Sequence, residues 1–345
     1  MSGGVDSSVA AALLLEQGYR VTGVFMCIGL DADSDSRGCC SPQDSADARR
    51  VADKLGIDMH VLNVAESFGT IIDYFTSEYL RGRTPNPCIV CNSTVKFGRL
   101  FHHADTIGAR YVATGHHARI VPTGAGAALA RGKCTAKDQS YALFAVARER
   151  LGRMLLPVGE IEHKDRIREI AKSLGLNVHD KPDSQEICFV PDDDYPALLQ
   201  ARVPEALTPG NIVDSSGRVL GRHDGYARYT IGQRRRLGVA MGHPMYVTHV
   251  DPATATVTIG PREEVMSTCL CAEGASWQQD VPASFDAIVQ IRYNNRGASA
   301  HVTRVADDAF DVRFHEPLGA ITPGQAAVVY DGDTVLGGGW IADRR

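Results

Sequence analysis

Two rhythms of apolar and polar residues alternate through the first half of the chain. Helical spacing over 8–17 is followed by an apolar run over 20–27 that reads as a buried strand. The spacing then predicts a helix over 45–55, with Ala46, Val51, Ala52 and Leu55 on its apolar side, a strand over 59–64 and a helix over 68–80. A helix over 95–107, a short strand over 110–113 and a helix over 163–174 follow. Strands separated by helices of this length predict an α/β fold, a doubly wound and mostly parallel sheet covered on both faces. After about Val203 the rhythm shortens. Glycine and proline punctuate strand-like runs at 245–250, 256–259, 287–292 and 326–330, which read as small β modules, the last of them barrel-like. The expected organisation is an α/β domain over 1–204, a small β-rich domain over 205–268 and a β-barrel domain over 269–345.

Of 345 residues, 44% are apolar and 22% charged, a globular mixture that excludes a disordered, collagenous or coiled-coil chain. With 36 basic and 41 acidic side chains the formal net charge is −5, so no global basic excess announces a nucleic-acid partner. Two local basic stretches stand out against it. Residues 81–99 carry four cations and no acid; residues 214–236 carry six arginines against Asp214 and Asp224, peaking at Arg234-Arg235-Arg236. Charge of this kind neutralises phosphates. The apolar run at 9–15 stops at Glu16, far short of the roughly 20 residues a bilayer needs. No basic stretch precedes an apolar one at the N-terminus. The expectation is a cytoplasmic protein without a membrane partner, whose nine cysteines point to metal or catalysis rather than to a complete disulfide framework.

The chain opens Ser2-Gly3-Gly4-Val5-Asp6-Ser7-Ser8 and runs straight into a helix. Two glycines let backbone N–H groups turn inward around an anion, three hydroxyls add donors, and the helix N-terminus adds positive dipole. The lysine of a Walker A loop is missing, so the loop is not built for γ-phosphate transfer. It resembles the PP-loop of ATP pyrophosphatases, which cleave ATP between the α- and β-phosphates and adenylate a substrate oxygen. Such a loop normally follows a buried strand, and no strand precedes Met1 here. The expectation is that the natural start lies upstream and that protein made from Met1 is poorly soluble. A soluble, cooperatively melting product would contradict it.

The next cluster is Arg83-Thr84-Pro85-Asn86-Pro87-Cys88-Ile89-Val90-Cys91-Asn92. Two prolines preset an extended loop. Asn92 offers an N-cap to a helix that carries Lys96 and Arg99, which places Cys91 where dipole and cations favour the thiolate. A third cysteine, Cys188, lies in Asp183-Ser184-Gln185-Glu186-Ile187-Cys188-Phe189. With these come Ala113-Thr114-Gly115-His116-His117-Ala118, Lys137-Asp138-Gln139-Ser140-Tyr141, Tyr229-Thr230-Ile231-Gly232-Gln233-Arg234 and Pro323-Gly324-Gln325. In this order, over nearly the whole chain, the motifs resemble the tRNA-specific 2-thiouridylase family of the PP-loop superfamily.

The resemblance implies an enzyme, a tRNA-uridine 2-sulfurtransferase acting at C2 of the wobble uridine. By the same resemblance, ATP with Mg2+ sits on Ser2, Gly3, Gly4, Val5, Asp6, Ser7 and Ser8, with contacts from Met26 and Gly115. Adenylation of the uracil O2 then makes it a leaving group. Cys188 matches the residue that carries a persulfide, loaded by a sulfur donor or carrier protein, and Cys91 matches the nucleophile that frees or resolves it. Asn86, Pro87 and Cys88 match residues that approach the flipped base. His116, Lys137, Asp138, Gln139, Arg292, Tyr293 and Gln325 match tRNA contacts. Cys88 departs from the pattern, standing where many members carry aspartate. Cys88, Cys91 and Cys188 are three soft ligands, a set that suits a 4Fe–4S cluster with one iron open to hydrosulfide. Persulfide relay and cluster both stay open at this point. Of the other cysteines, Cys27 reads as core, Cys39 and Cys40 as a loop feature, and Cys134 as hairpin-adjacent, while Cys269 and Cys271 lack zinc spacing. The rival readings are another PP-loop enzyme with a different adenylated substrate, and a non-catalytic RNA- or sulfur-binding protein.

Overall fold

The computed structural model describes residues 1–29, 42–124, 126–183, 187–190 and 194–344. It divides into two compact units. The first comprises residues 1–71, 88–193 and 333–335; the second comprises 72–87, 194–332 and 336–345.

In the first unit, α1 (Val5–Glu16) leads into β1 (Gly23–Cys27), α2 (Pro42–Leu55) and β2 (Met59–Asn63). The parallel pairing expected from the strand–helix alternation is present: β1 runs parallel to β2, with Gly23 opposite Met59. A second parallel pair joins β3 (Val112–Ala113) to β6 (Met154–Leu155). Among the described residues these are separate two-stranded pieces rather than one continuous sheet. Between them in sequence lies an antiparallel hairpin, β4 (Ala118–Thr123) and β5 (Gly126–Arg131). The core beneath α1 joins Val5, Val9 and Ala10 to Val51 of α2 and to Ile167 and Ala171 of α6 (Lys164–Ser173). Burying such aliphatic side chains stabilises by about 1.5–3 kcal/mol each. That packing fixes the phosphate loop at the head of α1.

The helix after the proline loop differs from expectation. It begins at Pro87, not at the expected residue 95 behind an Asn92 cap. Residues Pro87–Val90 form α4, Cys91–Phe97 a π-helical stretch and Gly98–Thr106 α5. Proline at the first helical position has its φ preset and no N–H to waste, so it starts the helix eight residues early. Asn92 is therefore not a cap: it is buried inside the helix, and its Nδ2 donates to the Ala142 carbonyl at 2.9 Å.

In the second unit the chain forms two β modules. β7 (Gly210–Val213), β8 (Val219–His223), β9 (Tyr246–Asp251) and β10 (Thr256–Gly260) make a four-stranded sheet in the order β8-β7-β10-β9, with β7 and β10 parallel. Then β11 (Met266–Trp277), β12 (Ser284–Gln290), β13 (Ala298–Ala306), β14 (Ala309–Gly319), β15 (Ala326–Asp331) and β16 (Thr334–Arg344) close a barrel in the order β11-β14-β13-β12-β15-β16, with β16 returning to β11. Its interior is filled by Leu270, Val289, Phe310, Val312, Phe314 and Ile341, all buried. Alternation along β13, with Ala300 and Val302 inward and His301 outward, follows from the two-residue side-chain period of a strand. Among the described residues no helix is long and apolar enough to cross a membrane.

Candidate active site

The phosphate loop is folded as its sequence requires. Gly3 takes φ +72°, a conformation in which a side chain would also overlap the Asp44 backbone. Gly4 is extended and precedes the first helical residue, Val5. The Ser8 and Ser7 hydroxyls donate to the Gly4 carbonyl at 2.8 and 3.1 Å, and the Ser2 N–H donates to Ser7 Oγ at 3.1 Å. The hydroxyls thus hold the loop's shape, and the first-turn N–H groups of α1 are left to receive an anion. Gly115 abuts this turn. A Cβ there would lie 2.6 Å from Asp6 C and Ser7 N. Gly115→Ala should therefore displace the loop, costing about 1–3 kcal/mol as overpacking does, and should abolish ATP cleavage. Melting curves and AMP release check this; a fully active alanine variant would contradict it.

Charged side chains from distant segments surround the loop. Lys164 Nζ lies 2.5 and 2.6 Å from the two Asp6 oxygens and 3.1 Å from Asp183 Oδ1. His117 Nε2 is 3.2 Å from Asp6 Oδ1. Burial alone would raise the Asp6 carboxyl, but hydrogen bonds from His117 and Lys164 outweigh it and hold the group below the usual carboxylate range. Asp183 also accepts from Lys137 at 2.9 Å and Arg168 at 3.1 Å. Its burial is likewise outweighed, by Lys137 and Lys164, so its pKa is lowered. Lys181 Nζ donates to the Gly3 carbonyl at 2.9 Å, Asp44 at 2.6 Å and Asp47 at 2.8 Å. The two carboxylates overcome the effect of burial and raise its pKa.

The histidine pair forms the adjoining wall. His116 Nδ1 lies 2.7 Å from Thr114 Oγ1, and its ring stands 5.8 Å from that of Phe97. Burial, assisted by Lys96 and His117, pushes His116 down to about 3. Between roughly pH 6.5 and 3 the folded protein therefore binds fewer protons here than the unfolded chain. The contribution to stability is complete above pH 6.5 and falls as pH drops through that window, by about 2 kcal/mol at pH 5. His116→Asn should lose this slope. Melts at pH 7.5 and 5 test it, and an unchanged slope would contradict it. His117 is buried, its N–H donates to Gln139 Oε1 at 2.9 Å, and its Nδ1 finds no partner among the described residues.

Several residues matched to tRNA contacts are engaged internally. Asp138 accepts from Gly132 N, Ser140 N and Ser140 Oγ at 2.8–3.1 Å and pairs with Arg131 at 3.2 Å. In the second unit Arg292 Nη2 donates to the Ala320 carbonyl at 2.8 Å and Thr322 Oγ1 at 3.0 Å. Gln325 Nε2 donates to the carbonyls of Thr84 and Pro85 at 2.9 and 3.2 Å. Tyr293 is exposed, as are Arg234, Arg235 and Arg236.

The cysteines differ in setting. Cys88 is exposed, Cys91 is buried within the π-helical stretch, and Cys188 is half-buried beside Phe189, whose ring packs edge-on against Phe68 at 5.6 Å. Among the described residues no three His, Cys, Asp or Glu side chains converge as a metal-holding group. Cys27, expected in the core, is half-buried at the end of β1, and Cys134 is buried. Cys39 and Cys40 lie outside the described residues. Met26 is on β1, half-buried.

Comparison with known proteins resolves the family. Profiles described as a tRNA methyl transferase HUP domain, a tRNA methyl transferase PRC-barrel domain and an aminomethyltransferase beta-barrel domain match residues 1–192, 197–261 and 267–341. The tRNA-specific 2-thiouridylase MnmA of Carboxydothermus hydrogenoformans is 51% identical over 353 residues, covering 100% of this chain and 96% of the relative. The chain belongs to the tRNA-specific 2-thiouridylase MnmA family. Relatives of the same name from Rhodopirellula baltica and Clostridium perfringens are 47% and 48% identical, each covering 99% of this chain and 94% and 96% of their own lengths.

For an MnmA-family chain, the residues that sequence reasoning missed are Lys164 and Lys181. They stand beside the loop, Lys164 paired with Asp6 and Asp183, and Lys181 with Asp44, Asp47 and the Gly3 carbonyl. One sequence signal was available for Lys164. It occupies the first turn of α6, where a cation opposes the helix dipole unless a carboxylate compensates it.

Proposed function

We propose that this chain makes 2-thiouridine at the wobble position of tRNA, with ATP as the activating co-substrate. The observation that carries the reading is the phosphate loop, closed on Gly115 and flanked by two lysines, in a chain aligned end to end with named 2-thiouridylases. The loop fits a nucleotide: the first-turn N–H groups of α1 have no intrahelical acceptor, and buried His117 Nδ1, on a ring that meets Asp6, is an unsatisfied polar atom. Val5, Asp6 and Ser7 would donate backbone N–H groups to phosphate, Lys164 and Lys181 would neutralise it, and Asp6 would hold Mg2+. A bound Mg2+ screens phosphate charge.

In the proposed reaction, uracil O2 attacks the α-phosphorus and pyrophosphate leaves. The terminal sulfur of a persulfide on Cys188 attacks C2, and AMP departs with the former O2. The Cys91 thiolate attacks the Cys188 sulfur, releasing the transferred sulfur to the base and forming a disulfide. An external thiol reductant restores both cysteines, and a persulfide donor or carrier protein reloads Cys188. Half-burial of Cys188 and burial of Cys91 suit a relay shielded from water. The basic stretches 81–99 and 214–236 would meet the tRNA backbone, with Asn86, Pro87 and Cys88 nearest the base.

The test is a reaction with unmodified tRNA, ATP and a persulfide donor. The reading requires AMP and pyrophosphate to appear only with tRNA carrying a wobble uridine. Release of ADP, or AMP formation indifferent to tRNA, would refute it. Cys88→Asp, active with the persulfide donor, would establish that the relay suffices without an iron–sulfur cluster.

A further inference from the structure

The loop before Cys88 holds two prolines, so within Thr84–Pro87 only Thr84 and Asn86 have a backbone N–H. Both are engaged, and by different elements. Thr84 N donates to the Pro323 carbonyl at 3.0 Å. The Asn86 backbone amide faces the Tyr74 hydroxyl and favours its ionised form, against the larger opposing effect of burial. On the acceptor side, the carbonyls of Thr84 and Pro85 both receive the Gln325 amide. Three successive main-chain polar groups are thus satisfied by one barrel turn, and the next, the Asn86 amide, faces one tyrosine. The turn is shaped for this approach. Gly324 takes φ +90°, and a Cβ there would stand 2.9 Å from the Thr84 carbonyl oxygen. Tyr74 is braced in turn by Trp340 of β16, ring centroids 5.9 Å apart.

We infer that Gln325 and Tyr74 are positioning residues of the reaction: they fix the backbone of Thr84–Asn86, the segment that leads into Cys88 and is proposed to meet the target base. The inference rests on the 2-thiouridylase reading for its catalytic consequence. The physical argument is one of conformational cost. A base-contacting loop that must be ordered at each encounter loses rate, whereas one whose backbone groups are already bonded presents its side chains in place. Gln325, matched by resemblance to a tRNA contact, has both amide hydrogens committed to the loop. Its influence on the reaction then runs through Asn86 and Pro87 rather than through RNA.

Two mild variants test this. Gln325→Glu keeps size but turns a carboxylate toward two carbonyls; Tyr74→Phe keeps the ring against Trp340 and removes the hydroxyl. Each should lower kcat for thiolation about 10–100-fold, with KM and Kd for tRNA nearly unchanged and the melting temperature close to wild type. Hydrogen exchange at the Thr84 and Asn86 amides is the second readout, because it needs no catalysis. Tyr74→Phe should speed exchange at Asn86, and Gln325→Glu should speed it at both. Loss of tRNA affinity in step with kcat in Gln325→Glu would make Gln325 an RNA contact and overturn the inference. Unchanged exchange at both amides would overturn it as well. Should the wild-type chain thiolate no tRNA, the functional reading fails, and amide exchange still decides whether the clamp exists.

Discussion

Cys188→Ser should abolish 2-thiouridine formation, by at least about 10³-fold, and leave tRNA binding nearly unchanged. A serine oxygen cannot carry the sulfane sulfur, so the loss falls on the transfer step. Cys91→Ser should give the same chemical outcome for a different reason, since the resolving thiolate is gone. Cys91 is buried, however, and exchanging its thiol for a more polar hydroxyl adds a desolvation cost of about 1–3 kcal/mol. Cys91→Ala separates the two effects: it removes the nucleophile without burying a new polar group. The check is quantitation of thiolated nucleoside beside a tRNA-binding isotherm for each variant. Either cysteine variant retaining wild-type thiolation would remove that residue from the relay.

Lys164→Met should lower ATP cleavage by about 10²–10³-fold, the range found when a preorganised electrostatic group is deleted. Lys164 bridges Asp6 and Asp183, and its side chain is only 13% exposed. Removing it leaves two half-buried carboxylates facing each other at the phosphate loop. The folded protein should lose about 1–3 kcal/mol, less than for a fully buried pair because solvent reaches the carboxylates. Lys164→Arg keeps the charge and should recover stability before it recovers rate. AMP release and thermal melts measured on both variants check this, and a methionine variant with normal AMP release would show that Lys164 acts only on stability.

How much of this was legible in the sequence depended on the range of the interaction. The phosphate loop was legible because its chemistry is local: glycine at a positive φ, an N-cap position and a helix start lie within eight residues. Two of the six barrel strands were legible as short apolar runs, 287–292 and 326–330, which fall on β12 and β15; β11, β13, β14 and β16 were not read, because their closure depends on pairing with distant strands. The helix containing Cys91 was misplaced because two local signals competed. Asn92 is a good cap and Pro87 a good first residue, and tertiary burial of Asn92 against Ala142 decided for Pro87. Lys164 and Lys181 were silent because a lysine in a sequence does not name its carboxylate. Their partners stand 158 and 137 positions away, at Asp6 and Asp44. Gln325 was legible as a motif but not in its use, since its two acceptors lie 241 and 240 positions upstream.

The most direct test of the central claim is nucleoside mass spectrometry of bulk tRNA from cells with and without this gene. Deletion should remove wobble 2-thiouridine, and the wild-type gene, but not Cys188→Ser, should restore it. An unchanged 2-thiouridine level in the deletion strain, with no second thiouridylase present, would contradict the account and leave the phosphate loop serving some other adenylated substrate.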